Sequence, residues 1–332
     1  MKAPKINNDK YSDILWQNKN TGEVEYWLLR SENSASEIIG SSSQGMVGPG
    51  WNVVNNGDYN SDGIDDILWM NQNSGQVVWW DLAGGGQNTV HAIANIGLEW
   101  KAIPFYGTNA TTVSPPPLLW FNTSTGQVVQ WNLLNGEVKS ITEVGRADPN
   151  AGWEALGSNA GKIYWRNQQT GETGYWTPSS NGQSWNRTEN RGADWKFLGL
   201  GDFRNDESSQ SSSGSTGISR PPGTLWQNTI TGEVSTGYDE TTFVTTNIFQ
   251  TYFHTEHKTM TLGYAAQGWD AMVGQFTSQT AGQIPGNPPR GGVTDSILWH
   301  NQSTGESLVW DVGNGPGAFH TTNSVSSDWN II

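Results

Sequence analysis

Short segments in which apolar and polar residues alternate recur along the whole chain, separated by turns rich in Gly, Asn, Ser and Thr. Asp13-Ile14-Leu15-Trp16, an Asn, a Thr-Gly pair and the alternating Glu23-Val24-Glu25-Tyr26-Trp27 make up one unit. A period of two predicts strands, and the Thr-Gly pair between them predicts a hairpin. The pattern Trp-x-Asn-x-x-(Thr/Ser)-Gly begins at Trp16, Trp69, Trp120, Trp165, Trp226 and Trp299. Five residues after the turn Gly stands a second Trp (Trp27, Trp80, Trp131, Trp176, Trp310), replaced in the fifth unit by Gly237-Tyr238. A third Trp precedes each following unit: Trp51, Trp100, Trp153, Trp195, Trp269 and Trp329. Only Trp79 and Trp185, of the 19 tryptophans, fall outside these three classes.

The spacing of the units fits four-stranded propeller blades. An open solenoid would need distinct capping repeats, and none is visible. The ends complement each other instead: Asp328-Trp329-Asn330-Ile331-Ile332 matches Gly50-Trp51-Asn52-Val53-Val54. The expected fold is all-β: residues 1–332 form a single six-bladed β-propeller of four-stranded blades. The C-terminal strand completes the N-terminal blade. Within a strand, Ile14, Trp16 and Asn18 share one face and Leu15 and Gln17 the other. Both faces of a blade pack on neighbours, so the motif tryptophans are expected in the core and the motif Asn as a turn former.

Composition narrows the function classes. The net charge of -14 repels phosphate backbones and argues against nucleic acid. A hydrophobic fraction of 34% is low, but the tryptophans supply burial in its place. Zero cysteines exclude disulfides, thiolate metal sites and a Cys nucleophile. No apolar run approaches the length of a membrane span. Met1 to Asp13 has no apolar core of a secretory signal, so an extracellular, surface-displayed or virion-associated protein is expected to leave the cell by another route or to have had a leader removed.

Gly57-Asp58-Tyr59-Asn60-Ser61-Asp62-Gly63-Ile64-Asp65-Asp66-Ile67-Leu68-Trp69 resembles the FG-GAP/VCBS repeat of integrin-like and lectin-like β-propellers. Alternate oxygen-bearing side chains at Asp58, Asn60, Asp62 and Asp66, with Gly63 permitting the bend, suit a hard cation. The resemblance adds the Ile64 carbonyl to that set and implies one calcium site. The competing reading is a solvated loop of Asx turns. In the fifth unit Asp202-Phe203-Arg204-Asn205-Asp206 places Arg at a ligand position, and the loops at Gly107, Gly157 and Gly274 lack the acidic set.

Signals for catalysis are weak. His254-Thr255-Glu256-His257 has two His three apart, but it lacks the helical HExxH spacing of a metalloprotease. No nucleophile elbow or phosphate loop is present, and the chain is not expected to be an enzyme. Tyr59, Trp79, Phe121 and Trp185 lie outside the repeat classes and are candidate stacking platforms for sugars, with core packing as the competing reading. Residues 207–222 and 277–293 lengthen the same loop in adjacent units and are candidates for a contact surface. The leading expectation is a non-catalytic, lectin-like module recognising a glycan. The alternative is a structural or adhesive component of a virion, injection machine or surface fibre that binds protein. The first three blades are favoured for sugar because Trp79 and Phe121 lie there.

Overall fold

The structure, a computed structural model, describes residues 1–7, 9, 11–32, 35–82, 89–107, 115–179, 182–203, 216–219, 222–247, 250–276, 295–312, 319–322 and 324–332. Its strands form six antiparallel sheets arranged as the blades of a propeller. Blade 2 shows the plan: Trp51–Gly57 innermost, then Asp66–Asn71, Gln76–Asp81 and Thr89–Asn95 at the rim. The innermost strands of the next blades are Trp100–Ile103, Trp153–Asn159, Trp195–Gly201 and Trp269–Gly274. These strands approach one another around a central channel. The third class of Trp therefore opens each channel strand.

Blade 1 takes its strands Ile14–Asn18, Glu23–Glu32 and Ala35–Met46 from the N-terminal end and its innermost strand, Trp329–Ile331, from the C-terminal end. The pairing runs Trp16 to Ile331 and Asn18 to Trp329, so the ring closes as the repeat predicts. Blade 5 departs from the plan. Its outer hairpin, Glu233–Asn247 with Gln250–Tyr264, has strands of 15 residues each. The short strand Thr216–Ser219 pairs along the outer half of that hairpin.

The apolar residues gather into clusters between successive blades. Ile14 and Trp16 face blade 6, whereas Leu15 faces blade 2. The same division repeats around the ring, so alternate residues of one strand serve two different cores. The motif tryptophans are between 0 and 2% exposed, and they sit in these clusters. By the period of two, the residue after each motif Trp lies on the opposite face of the strand. There Met70 and Phe121 pack as apolar side chains, whereas Arg166, Gln227 and His300 reach main-chain carbonyls of Trp195, Ala265 and Trp329.

Local chemistry explains the regularity of the hairpins. Asn18 Oδ1 accepts the N–H groups of Asn20 and Thr21 at 2.9 and 3.0 Å. The equivalent pair of bonds forms at Asn71, Asn122, Asn167, Asn228 and Asn301. The turn former reading of the repeated Asn is thus how the structure uses it. The turn Gly needs a left-handed conformation, with φ of 75° at Gly126, and a Cβ there would lie 1.7 Å from the Ala147 carbonyl oxygen. Only glycine fits.

Candidate functional site

Antiparallel pairing places the Asn–Gly turns and the starts of the channel strands on one face of the ring. The loop 58–66 lies on the opposite face. That opposite end of the channel is closed by the N-terminal segment. Lys2 bridges to Val273 in parallel fashion, Ala3 N donates to the Val273 carbonyl at 2.8 Å, and Asn56 Nδ2 donates to the Lys2 carbonyl at 2.8 Å. Lys2 Nζ also pairs with Asp295 at 2.7 Å, both side chains being almost fully buried. What remains there is a polar cavity of 20 Å³.

The turn face is open. Its channel mouth divides into a groove of 710 Å³ over blades 3, 4 and 5 and one of 480 Å³ over blades 5, 6, 1 and 2. The residue after each channel Trp contributes to this mouth: Asn52, Lys101, Glu154, Lys196, Asp270 and Asn330. The larger groove also exposes part of the Trp153 and Phe197 rings, with Gln168 and Thr123 nearby on its wall. Gln168 Nε2 donates to Glu154 at 3.1 Å, and Lys196 pairs with Asp270 at 3.1 Å. Arg166 gives its guanidinium to the carbonyls of Trp195 at 2.8 Å, Arg191 at 3.0 Å and Gly192. Half-buried aromatic side chains among polar and charged ones can hold a ligand with one apolar face and a rim of hydroxyls.

The candidate aromatics fall elsewhere. Tyr59, Trp79 and Phe121 are 0, 3 and 5% exposed, so they are not open stacking platforms. Each fills an inter-blade core: Tyr59 and Trp79 between blades 2 and 3, Phe121 edge-on to Trp165 between blades 3 and 4. Trp79 is further covered by His91, stacked at 4.2 Å, and by the backbone at Gly136. Trp79 is thus enclosed, whereas the edge of Phe121 still borders the larger groove over blades 3, 4 and 5. Trp185 is 37% exposed, on the rim strand of blade 4, where it meets Trp153 edge-on at 4.9 Å.

The residues of the acidic loop are also placed. Asp58 accepts N–H groups from Ser61 at 2.6 Å and from Asp62 and Gly63 at 3.1 Å. Asn60 Oδ1 accepts Asp62 N at 3.0 Å, and Asp62 Oδ1 accepts Ile64 N at 2.8 Å. Asp66 is fully buried and accepts Tyr59 N at 2.9 Å and Leu82 N at 3.2 Å. Asp13 does the same in blade 1, binding Ile6 N at 2.6 Å and Leu29 N at 2.9 Å. These buried carboxylates tie the channel-strand loop to the third strand. Burial pushes their pKa values up, to about 7 for Asp13 and about 8 for Asp66, against the opposing pull of the N–H donors. Among the described residues no group of three or more His, Asp or Glu is arranged to hold a metal ion. As placed, the loop closes on itself through these side-chain to main-chain bonds.

His254 and His257 lie on a strand, so their odd spacing sends them to opposite faces. His254 is exposed, whereas His257 Nδ1 meets Asp239 at 2.9 Å. Asp239 also accepts the Tyr175 hydroxyl at 2.8 Å, and Lys162 lies 3.7 Å away. Burial works against ionisation of Asp239, but the His257 and Tyr175 hydrogen bonds and the Lys162 charge hold its pKa below the usual value. Of the two long loops, 277–293 lies outside the described residues. In 207–222 only Thr216–Ser219 and Pro222 are described.

No family model matches the chain, and no curated protein matches it. Among solved structures it is similar to a chain of a nidogen/laminin complex, at 12% identity and a TM-score of 0.44, over 93% of both chains. It is also similar to an alpha-L-arabinanase of Penicillium chrysogenum complexed with arabinobiose, at 11% identity and a TM-score of 0.39, over 93% of this chain and 86% of that one. A third is a 6-phosphogluconolactonase-like protein of Bacteroides uniformis, at 9% identity and a TM-score of 0.38, over 98% and 97% of the chains.

Proposed function

We propose that the chain is a non-catalytic recognition module that binds carbohydrate in the mouth of its propeller channel. The observation that carries this reading is the 710 Å³ groove, in which Trp153 and Phe197 present ring surface beside Lys101, Glu154, Gln168 and Thr123. Its volume falls in the range of about 300–1,000 Å³ usual for small-ligand sites. The aromatic pair would take the apolar face of a sugar ring, while the polar side chains take hydroxyls. A glycan array followed by calorimetry of any hit tests this, with Trp153→Ala as the variant. Binding that disappears in that variant supports the mouth as the site. Silence across the array overturns the reading.

A second reading, a protein-binding component of a larger assembly, is favoured by the rim. Ile39, Val90, Ile141 and Trp185 stand exposed on the outermost strands of blades 1 to 4. Apolar side chains on edge strands suit burial against another protein. The same preparation run by light scattering with candidate partners separates this from sugar binding.

A further inference from the structure

Resting on the reading that the mouth binds sugar, we infer that it selects saccharides bearing a carboxylate. The chain as a whole carries -14 charges, yet the larger groove concentrates cations. Lys101, Arg166 and Lys196 line it against the single carboxylate of Glu154. The smaller groove beside it has the opposite character, with Asp270 and the amides of Gln17, Asn52 and Asn330.

The partners of these cations decide how much charge is left for a ligand. Lys196 is matched by Asp270, but both side chains are about half exposed, at 49 and 45%, so the pair is weak and readily rearranged. Arg166 spends its guanidinium on main-chain carbonyls, which orient it without cancelling its charge. Lys101 is exposed and has no carboxylate partner among the described residues. The groove therefore keeps an excess of positive charge in a molecule whose remaining surface repels anions.

Geometry favours a sugar acid over a denser anion. The Arg166 fork is already committed, so the bidentate grip that selects phosphate is absent. What remains are separate lysine point charges in a groove that Trp153 and Phe197 also line. A hexuronate matches that layout: its ring lies against Trp153 and Phe197 while its carboxylate reaches Lys101. A neutral sugar would leave the lysine charge unmatched.

The test is calorimetry with tetragalacturonate and with its methyl ester, which has the same rings and no charge. Wild type, Lys101→Gln and Lys101→Glu are compared at low and high salt. The inference expects the acid to bind about tenfold tighter than the ester, and charge reversal at Lys101 to cost about tenfold or more. Lys101→Gln is expected to cost less, and salt to weaken the acid several-fold. Equal binding of acid and ester, or no effect of Lys101→Glu, overturns the inference while leaving sugar binding intact. If neither probe binds but neutral glycans score on the array, the inference fails alone. If the array is silent, the underlying reading fails with it. Lys101 is exposed, so unchanged melting temperatures will show that the variants fold.

Discussion

Removing residues 328–332 should cost this protein most of its stability. The segment pairs with Trp16–Asn18 and also places side chains in two different cores: Trp329 and Ile331 between blades 6 and 1, and Ile332 between blades 1 and 2. Each is partly buried, so each contributes about 1–1.5 kcal/mol, half the value for full burial. Main-chain bonds go with them, including Lys19 N to the Asp328 carbonyl at 2.7 Å and Ile332 N to the Leu15 carbonyl at 3.0 Å, at about 1 kcal/mol each. His300 is buried, and because a carbonyl oxygen can only accept, its Nε2–H is the donor to the Trp329 carbonyl at 3.1 Å. Stripped of that acceptor, it adds a desolvation penalty of about 1–3 kcal/mol. The total is on the order of 10 kcal/mol, comparable with the whole stability of a typical domain at about 5–15 kcal/mol. Thermal melting by circular dichroism should fall by about 15–20 °C, or lose its cooperative transition. Trp329→Ala gives a graded version, with an expected drop of about 2–3 °C. A deletion variant that melts as one transition within about 3 °C of wild type would refute the reasoning.

Three further outcomes follow from the hydrogen bonds. Asn122→Ala leaves Ser124 N and Thr125 N without their acceptor and should cost about 1–2 kcal/mol by chemical denaturation, whereas Asn122→Asp keeps the acceptor and should be nearly neutral. Asp58→Ala should destabilise equally in chelator and in millimolar calcium, because the loop is closed by its own N–H groups; a loss seen only in calcium would instead establish the cation site that the loop sequence suggests. Asp13 and Asp66 have folded pKa values raised to about 7 and about 8 from an unfolded value of 3.8, so the folded state holds their protons longer. Their contribution is complete below pH 3.8 and declines as pH rises through 7 to 8, by about 1.4 kcal/mol per pH unit for each group still protonated only when folded. Denaturation between pH 5 and 8 should show that decline, and a flat profile in this window would contradict it.

Architecture was legible because its determinants act over a few residues. An Asn that caps the next two N–H groups and a Gly forced to positive φ announce a hairpin wherever they occur. A bulky Trp at one fixed offset fills whatever core the hairpin builds. Tyr59, Trp79 and Phe121 were harder to place, because their surroundings come from another blade. Trp79 follows the opposite parity to Trp80, which in an ordinary one-sided sheet would bring it to solvent. Here both faces of a blade are covered, so parity selects which core it enters. Asp66 presents the same difficulty: its spacing suits a cation loop, but its partner Leu82 lies beyond a hairpin. The mouth too leaves a mark in the sequence. Directly after each channel Trp comes a polar residue (Asn52, Lys101, Glu154, Lys196, Asp270, Asn330), and this column carries charges of both signs. Seeing it as a lining required knowing which strand lies innermost.

Blade 5 shows how a departure from the repeat connects to that lining. In blades 1 to 4 the motif Trp leans on the second Trp of its own blade, with ring centroids 4.5 to 5.2 Å apart. Gly237 removes that partner from Trp226. A Cβ at Gly237 would lie 2.5 Å from Glu189 Oε1 and 3.1 Å from His257 Nε2, so polar groups stand where an indole would begin. Glu189 pairs with Arg191 at 2.7 Å, both side chains being under a tenth exposed, and accepts the Thr224 hydroxyl at 3.2 Å. Arg191 lies 4.2 Å from the Trp195 ring centre and 5.9 Å from that of Trp226. A buried ion pair repays its desolvation only with good geometry, so apolar filling by Trp would be the simpler way to stabilise this joint. Arg191 has a second use: its carbonyl, with those of Gly192 and Trp195, holds the Arg166 guanidinium at the wall of the mouth. Restoring Trp at 237 would displace Glu189, release Arg191 and loosen the loop that positions Arg166. The missing tryptophan and the cationic groove are therefore parts of one arrangement, in which apolar packing at one joint gives way to charge at the channel mouth.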